Sequence, residues 1–405
     1  MHPDHTAMSS VQKKHVPEID GLRAIAVMAV TLFHLQFSWI PGGFVGVDIF
    51  FVISGYLITS GLNRELTQKG RLNLGRFYLR RARRLLPALY TALFVSAVAA
   101  FALLSHHRLA EFGSSLVASA LSLSNVHFYL GSGYFDTASD YKPLLHTWSL
   151  GVEEQFYLIW PLLLLVFRPG RSRTLLLAAL FFSTLAASEW LTQAAPSVGF
   201  FLTPFRIYEF VVGAALALYA SPPKDRSSTS NGALLLGLVL MAWGIFGFDG
   251  KTSFPGWHAL VPSIGAGLVL WSAPSSHLAW LLSNPLASSL GRISYSTYLF
   301  HWPLIVLYRV AKGREHLALK EQLGLLAITL LLGALCQRFI ENRYRDQPEA
   351  SNRKFLTWLL ICTALLVAIG WAFQQDKVAH ARQWASSHIT HKQVDLRRNE
   401  RFKLR

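Results

Sequence analysis

The stretch LRAIAVMAVTLFHLQFSWI, residues 22–40, decides the fold class of this chain. It is long and apolar enough to cross a bilayer as one helix, yet it contains two ionisable side chains. Arg23 and His34 are eleven residues apart, which in an α-helix places them within about 20° of one face and about 16 Å apart along the axis. Ionisable groups are costly inside a membrane and are usually functional. The stretch therefore predicts a spanning helix that carries chemistry inside the membrane.

The composition indicates a polytopic membrane protein. Of the 405 residues, 52% are hydrophobic and 15% are charged, and the mean hydropathy is +0.34, which excludes an ordinary soluble domain. The net charge of +16 does not indicate nucleic-acid binding, because the basic residues cluster in short loops, where they set topology. The two cysteines, Cys336 and Cys362, lie in separate apolar runs and form no metal-binding or disulfide pattern.

Hydropathy predicts an all-α bundle of about eleven spanning helices in the lipid bilayer. A weaker run, 112–130, is rich in serine. The charges of the loops on either side require that the chain between them does not cross the membrane an odd number of times. We therefore expect that run to be re-entrant or to lie at the outer interface. The eleven predicted spans are 21–40, 44–62, 85–105, 146–167, 174–193, 200–219, 232–248, 257–273, 290–310, 322–340 and 355–373.

The charges of the loops predict the orientation of the bundle. Lys13 and Lys14 precede the first span, and residues 64–84 carry eight lysines and arginines, so the positive-inside rule places both segments in the cytoplasm. Eleven crossings then leave the C-terminus outside, where the basic residues 374–405 are expected to form a disordered tail. Three basic residues fall on the outer side against this rule: Lys312, Arg314 and Lys320.

Arg23 and His34 suggest an anion-binding group and a catalytic base on one helix face. In this interpretation Arg23 holds an anionic substrate while His34 accepts a proton. The alternative is structural, with Arg23 reaching the lipid headgroups and His34 hydrogen-bonding a neighbouring helix. The shared face of the two residues favours the functional interpretation.

The motif FYLRRARRLLPAL, residues 77–89, is predicted to lie just before a spanning helix, with Pro87 in its first turns. Arg81 and Arg84 share one helix face, as do Arg80 and Arg83. The guanidinium group binds phosphate through several fixed donors, so the motif suits a clamp for a polyanionic nucleotide at the cytoplasmic mouth. Contacts with lipid phosphates explain the same four arginines.

The stretch HTWSLGVEEQFYLIWPLLL, residues 146–164, places two carboxylates inside a predicted span. His146 and Glu153 are seven residues apart and share a face, whereas the consecutive Glu153 and Glu154 point in different directions. Carboxylates in spanning helices rarely have a purely structural role. The alternative is a pair of structural ion pairs, with Arg206 or Arg292 as partners.

Further polar positions give weaker signals. Arg206 and Glu209 are three residues apart and can pair with each other, and Asp48 lies near the outer start of its helix. His301 precedes Trp302 and a proline, which marks a kink with a hydrogen-bonded imidazole. Four glycines are expected to permit close helix packing: Gly42, Gly43, Gly46 and Gly55.

In these motifs the chain resembles the membrane acyltransferase-3 family of polysaccharide and peptidoglycan O-acetyltransferases. The resemblance runs in order through residues 16–345. It is carried by EIDGLRAIAV (18–27), GGFVGVDIFFVISGYLIT (42–59), FYLRRARRLLPAL (77–89), GYFDTASDYKPLLHTWSLGVEEQFYLIWPL (133–162), LTPFRIYEFVVGAAL (202–216) and LGRISYSTYLFHWPL (290–304).

The resemblance implies roles for individual residues. The R-x10-H motif of the family corresponds to Arg23 and His34, and its R-x-x-R motif is matched by Arg81 and Arg84, although Arg80 and Arg83 have the same spacing. Its glutamate-rich segment corresponds to Glu153 and Glu154. In this scheme Arg80, Arg81 and Arg84 bind acyl-CoA, and one of the two glutamates orients or charge-balances His34. Five further residues are expected to line the cavity: Asp48, His146, Arg206, Glu209 and His301.

The resemblance also implies a domain layout, with one departure from the family pattern. The motif sequences are similar to those of the family branch that has an extra helix and an external SGNH hydrolase-like domain. We expect a cytoplasmic segment 1–18, an acyltransferase membrane domain 19–345, an extra helix 346–373 and a tail 374–405, with no Gly-Asp-Ser nucleophile motif. Either a separate periplasmic protein completes the transfer, or the helical domain acylates its acceptor directly, or the chain is truncated.

We therefore expect a bacterial inner-membrane O-acyltransferase. It would move an acetyl group from cytoplasmic acetyl-CoA, a substrate and not a resident cofactor, to a hydroxyl of an envelope glycan: O-antigen lipopolysaccharide, peptidoglycan or exopolysaccharide. No metal is expected. The alternative is a proton-coupled transporter or a flippase of glycan precursors, which intramembrane Arg, His and Glu also suit. That class favours inverted repeats and broken helices, which the sequence does not reveal.

Overall fold

The computed structural model describes residues 16–132, 141–221, 223, 226–345 and 352–375. Every regular element in this part of the chain is helical, which confirms the predicted all-α membrane bundle. Most of the predicted segment 1–18 and of the predicted tail 374–405 lies outside the described residues. The α-helices are α1 (Pro17–His34), α2 (Gly46–Lys69), α3 (Leu74–Leu103), α4 (His106–Ala120), α5 (Ser124–Leu130), α6 (Thr147–Val166), α7 (Arg171–Ala194), α8 (Pro196–Phe201), α9 (Ile207–Tyr219), α10 (Ser228–Gly247), α11 (Leu260–Ser272), α12 (Trp280–Ser283), α13 (Pro285–Lys312), α14 (Leu319–Cys336), α15 (Asn342–Arg345) and α16 (Asn352–Phe373).

By length and composition, seven or eight of the eleven predicted spans qualify as membrane spans among the described residues. Seven helices qualify alone, namely α2, α3, α6, α7, α10, α14 and α16, and an eighth span results if the 111° bend between the segments that contain α11 and α12 lies within one span. The other predicted spans fall on α1, α9 and α13. α1 carries Glu18, Asp20 and Arg23, α9 has only 13 residues, and α13 is rich in polar side chains. α1 and α13 are less apolar because they hold many of the polar groups that the bundle encloses, whereas α9 is apolar but short.

Several helix boundaries differ from the prediction. α1 ends at His34 and does not continue to residue 40, because Gln36 adopts a left-handed conformation with φ of +66°. α3 begins at Leu74, since the side chain of Asn73 accepts a hydrogen bond from the Arg76 amide at 2.9 Å. The arginine motif and Pro87 therefore lie inside α3, not before a helix and not in its first turns.

The predicted span 200–219 is broken between α8 and α9. A short 3₁₀ turn, Thr203–Phe205, separates the two helices, and Pro204 within it has no amide hydrogen to donate to a continuous helix. A second break lies between α11 and α12. The structure thus contains broken helices that hydropathy alone did not reveal.

The weak run 112–130 forms two short helices and not one span. α4 and α5 have 15 and 7 residues, which correspond to about 22 Å and about 10 Å, each less than the roughly 30 Å hydrocarbon core. α4 packs on α16, where Gly113 lies against the backbone of Gly370. The lengths agree with a re-entrant or interfacial segment, and its depth in the bilayer stays a prediction.

Close helix contacts in the core depend on glycine, as the sequence predicted for Gly55. A Cβ atom at Gly55 of α2 would lie 2.0 Å from the carbonyl oxygen of Phe210 in α9, and one at Gly213 of α9 would lie 2.0 Å from that of Val52. The two backbones therefore touch at a distance that no other residue permits. Gly42, Gly43 and Gly46 make equally close approaches to backbone oxygens, which confirms their predicted packing role.

Candidate active site

Three histidines meet where α1 ends. His34 is the last residue of α1, His301 lies in the middle of α13, and His146 immediately precedes α6. Nδ1 of His34 lies 2.9 Å from Nε2 of His301, and the two rings stack with centroids 5.1 Å apart. The His146 ring lies 5.5 Å from the His301 ring. Residues that the sequence singled out separately thus form one cluster.

The surroundings of this cluster hold the rings in place. Nδ1 of His301 lies 2.6 Å from the carbonyl oxygen of Tyr298, and Nε2 of His146 lies 3.2 Å from that of Leu299. The Tyr298 hydroxyl donates to the His146 carbonyl at 3.0 Å. Trp302 lies against His34, with ring centroids 4.5 Å apart. His34 does make the contact with a neighbouring helix that a structural histidine makes, but this contact uses its Nδ1 atom.

A second cluster lies nearer the start of α1 and contains arginines. Arg23 is about one-fifth exposed and pairs with Asp20 at 3.6 Å. Arg84, Glu153 and Tyr157 lie close enough to act on the charge of Arg23. The next arginine of α3, Arg81, lies over the Tyr157 ring at 5.9 Å and is also within electrostatic range of Arg23, Arg84 and Glu153. Cations from α1 and α3 therefore gather around carboxylate and phenol groups of α6.

The structure divides the four arginines of α3 between different environments. Arg80 is about half exposed and pairs with Glu65 at 3.5 Å. Arg83 is buried, donates to Asn352 at 2.9 Å and lies over the Phe355 ring of α16. Arg81 and Arg84, by contrast, lie within electrostatic range of Arg23. Both arginine pairs have the same spacing, so the sequence could not distinguish them. The structure does, because α16 contacts Arg83.

Glu153 and Glu154 point to different neighbours, as expected for consecutive helical residues. Glu153 accepts hydrogen bonds from Ser54 of α2 and from Tyr157, beside the arginine cluster. Glu154 accepts one from Ser122, in the turn between α4 and α5. Neither is the hydrogen-bond partner of His34 in the described structure. His301, and not one of these glutamates, forms the hydrogen bond with His34.

Asp48, Arg206 and Glu209 form a separate buried ion cluster. Arg206 pairs with Asp48 at 2.6 Å and with Glu209 at 2.9 Å, and all three side chains are at most 1% exposed. The Arg206 guanidinium also lies over the rings of Phe51 and Trp148. The predicted pairing of Arg206 with Glu209 is confirmed, whereas Arg206 does not serve Glu153 or Glu154. This cluster binds α2 to the start of α9.

Sequence reasoning missed one carboxylate near the arginines. Glu341 is buried, accepts a hydrogen bond from Ser296 of α13, and lies within electrostatic range of Arg84 and Arg23. It closes a π-helical turn, Gln337–Glu341, that extends α14. Single π turns inside helices are frequent at functional sites. The residue directly follows the predicted span 322–340, where hydropathy gives no sign of its burial.

The two clusters offer different chemistry at the two ends of one helix. The arginine cluster provides guanidinium groups suited to phosphate, and the histidine cluster provides a neutral imidazole suited to proton transfer. The separation along α1 is about 16 Å. In the part of the chain that the structure describes, no three His, Cys, Asp or Glu side chains are arranged to hold a metal ion.

Known proteins are similar to this chain over most of its length. The profile of the acyltransferase domain of the acyltransferase-3 family matches residues 16–373. The chain is similar to the peptidoglycan O-acetyltransferase OatA of Listeria monocytogenes, with 34% identity over 351 residues, which cover 82% of this chain and 56% of that protein. It is also similar to the putative peptidoglycan O-acetyltransferase YrhL of Bacillus subtilis, with 35% identity over 369 residues, 85% of this chain and 57% of that protein.

A putative O-acetyltransferase of Staphylococcus aureus is 31% identical over 364 residues, which cover 85% of this chain and 59% of that protein. The chain thus spans somewhat more than half the length of the curated relatives that it matches. No solved structure matches the chain.

Proposed function

The chain belongs to the acyltransferase-3 family, and from that premise we propose that it transfers an acetyl group from acetyl-CoA to a hydroxyl group of a cell-envelope glycan. Acetyl-CoA acts here as a substrate and not as a resident cofactor. The observation that carries the proposal is the placement of Arg23, Arg81 and Arg84 near one end of α1 and of His34 at its other end.

Arg81, Arg84 and Arg23 bind the phosphate groups of the donor. All three belong to one cluster on α1 and α3, and guanidinium groups bind phosphate through paired donors. Glu153 lies among them and offsets part of their mutual repulsion before the donor arrives. Arg80 lies outside this cluster with Glu65 as its partner, so it is not among the residues that bind these phosphate groups.

His34 serves as the general base of the transfer. The acceptor oxygen attacks the thioester carbonyl carbon while His34 takes the hydroxyl proton. The carbon–sulfur bond breaks, and the CoA thiolate leaves and takes up the proton from His34. General-base assistance of this kind contributes about 10²–10⁴-fold to the rate.

We propose a peptidoglycan sugar as the acceptor. Two of the similar proteins are named as a peptidoglycan O-acetyltransferase and a putative peptidoglycan O-acetyltransferase, and neither name points to lipopolysaccharide. In the proposed orientation the arginine cluster faces the cytoplasm of a bacterium, because the arginine-rich residues 64–84 then lie on the inner side of the membrane. The acceptor is reached directly from the helical domain or through a separate periplasmic protein.

The test compares cells that express the wild type or His34→Ala at equal membrane levels. Peptidoglycan is purified, and its O-acetyl groups are measured by mass spectrometry and as base-released acetate. We expect esters with the wild type and a loss of about 10²–10⁴-fold in the initial rate of acetylation with the variant. Equal ester content in both strains would overturn the proposal. Movement of glycan without incorporation of labelled acetyl would favour a transporter.

A further inference from the structure

The hydrogen bonds of the histidine cluster determine where its protons lie. The Tyr298 carbonyl oxygen can only accept, so Nδ1 of His301, 2.6 Å away, is the donor. A neutral imidazole has one N–H group, and Nε2 of His301 is therefore an acceptor. His34 places its Nδ1 atom 2.9 Å from that acceptor, so this nitrogen carries the proton of His34. The lone pair of His34 is then on Nε2.

The opposite assignment of the protons would place a positive charge on the buried imidazole of His301. His34 could accept through Nδ1 only if His301 carried protons on both nitrogens. His301 is fully buried, and the rings around it are those of His34, His146 and Tyr298, which supply no negative charge. A buried cation without a counter-charge is strongly disfavoured. The neutral arrangement therefore holds in the resting protein.

The site also fixes the orientation of the His34 ring. His34 ends α1, and its ring is held between the His301 ring at 5.1 Å and the Trp302 ring at 4.5 Å. Trp302 is itself anchored, because its Nε1–H donates to the carbonyl oxygen of Lys142 at 2.8 Å. Rotation of the His34 ring would break the contact with His301. One tautomer and one ring orientation are thus selected together.

We propose that His301 is a positioning residue that keeps the proton of His34 on Nδ1 and presents the Nε2 lone pair to the acceptor hydroxyl. This proposal rests on the role of His34 as the base. Without an acceptor at position 301, His34 also populates the tautomer whose Nε2 is already protonated and cannot take a proton. The relay begins at a backbone carbonyl, so no carboxylate is needed to orient the base.

The test uses His301→Met, which fills the site with a thioether that is only a weak acceptor, and His301→Gln, whose amide oxygen can accept from His34. The full chain in lipid nanodiscs is supplied with acetyl-CoA and a chitooligosaccharide, and the free CoA thiol is measured. We expect His301→Met to lower kcat by about 10- to 100-fold, the loss seen when a group that orients a histidine is removed. The KM for acetyl-CoA should stay unchanged, and His301→Gln should recover most of the rate. Equal loss in both variants would overturn the proposal.

A double variant separates positioning from other roles. His34→Ala combined with His301→Met should be no slower than His34→Ala alone, because His301 acts only through His34. A further drop in the double variant would contradict this. If His34→Ala keeps its activity, the role of His34 as the base fails, and the positioning role of His301 fails with it. If His34→Ala is inactive while His301→Met turns over at the wild-type rate, only the positioning role fails.

A measurement on the wild type avoids any dependence on variant folding. Nitrogen-15 NMR of labelled histidine in the nanodisc-embedded protein distinguishes a protonated from an unprotonated ring nitrogen, and the spectrum of His34→Ala identifies the signals of His34. We expect neutral His34 to carry its proton on Nδ1. A proton on Nε2 would overturn the proposal.

Discussion

Nη2 of Arg206 lies 2.6 Å from Oδ1 of Asp48, and the pair is enclosed between α2 and the start of α9 with almost no exposure of either side chain. Glu209 pairs with the same guanidinium group, and its Oε1 atom lies 2.9 Å from Nε. Removing one partner from a buried ion cluster leaves unpaired charge in a region of low polarity, which is usually far more costly than removing the whole cluster. The relationship therefore identifies a point on which the stability of the bundle depends.

Arg206→Met should strongly destabilise the protein, because it leaves Asp48 and Glu209 buried without a cation. The expected loss is about 3–5 kcal/mol in the free energy of unfolding, measured by denaturant titration in detergent micelles. Arg292→Met is the matched control, since Arg292 is exposed and donates to Ser289 on its own helix. Equal stability of the two variants would contradict the role given to the cluster.

Arg81→Ala should weaken the binding of acetyl-CoA, because Arg81 lies in the cluster of α1 and α3. Hydrogen bonds to charged groups contribute about 1.5–3 kcal/mol, so the KM for acetyl-CoA should rise by about 10- to 100-fold. Initial rates at varied acetyl-CoA concentration provide the measurement. Arg80→Ala removes a cation of the same motif that pairs with Glu65 instead, and its KM should change by less than about threefold. A larger effect of Arg80→Ala would reassign the phosphate contact.

Glu153→Gln should reduce activity more than Glu154→Gln. Glu153 lies beside Arg23 and Arg81, so its neutralisation removes the charge that attracts these side chains and orients them for the donor, whereas Glu154 contacts Ser122 away from them. A difference of about tenfold in kcat/KM for acetyl-CoA corresponds to roughly 1.4 kcal/mol. The two variants are compared at equal membrane levels. The reverse order would place the donor site on the other side of α6.

Gly55→Ala should destabilise the bundle, because the new Cβ atom would lie 2.0 Å from the Phe210 carbonyl oxygen. Forcing α2 away from α9 is expected to cost about 1–3 kcal/mol, measured as a lowered denaturant midpoint. Gly61→Ala in the same helix meets no atom within 4 Å and should be neutral or stabilising by up to about 1 kcal/mol. Similar midpoints for the two variants would show that the close contact carries little energy.

The sequence predicted features that depend on residue type and local spacing. Arg23 and His34 do lie on one helix, and the spacing of Glu153 and Glu154 correctly indicated different neighbours. It could not separate Arg81 from Arg83, because the position of α16 decides which one is removed from the cluster. Nor could it pair His34 with His301, since they are 267 positions apart in the chain and helix packing alone brings them together. Hydropathy did not reveal the break before α9, because a stretch of residues stays apolar on average even when it contains a proline turn and an enclosed ion cluster.

A consequence follows from α1 being one uninterrupted helix from Arg23 to His34. A helix is stiff along its axis, so it acts as a ruler of about 16 Å between the two ends of the site. A donor whose diphosphate rests at one end must carry its thioester on an arm of matching length, as the pantetheine of CoA does. Truncated thioesters such as acetyl-cysteamine derivatives would reach only one end of that ruler, and lengthening the helix by one turn would misplace even the natural arm.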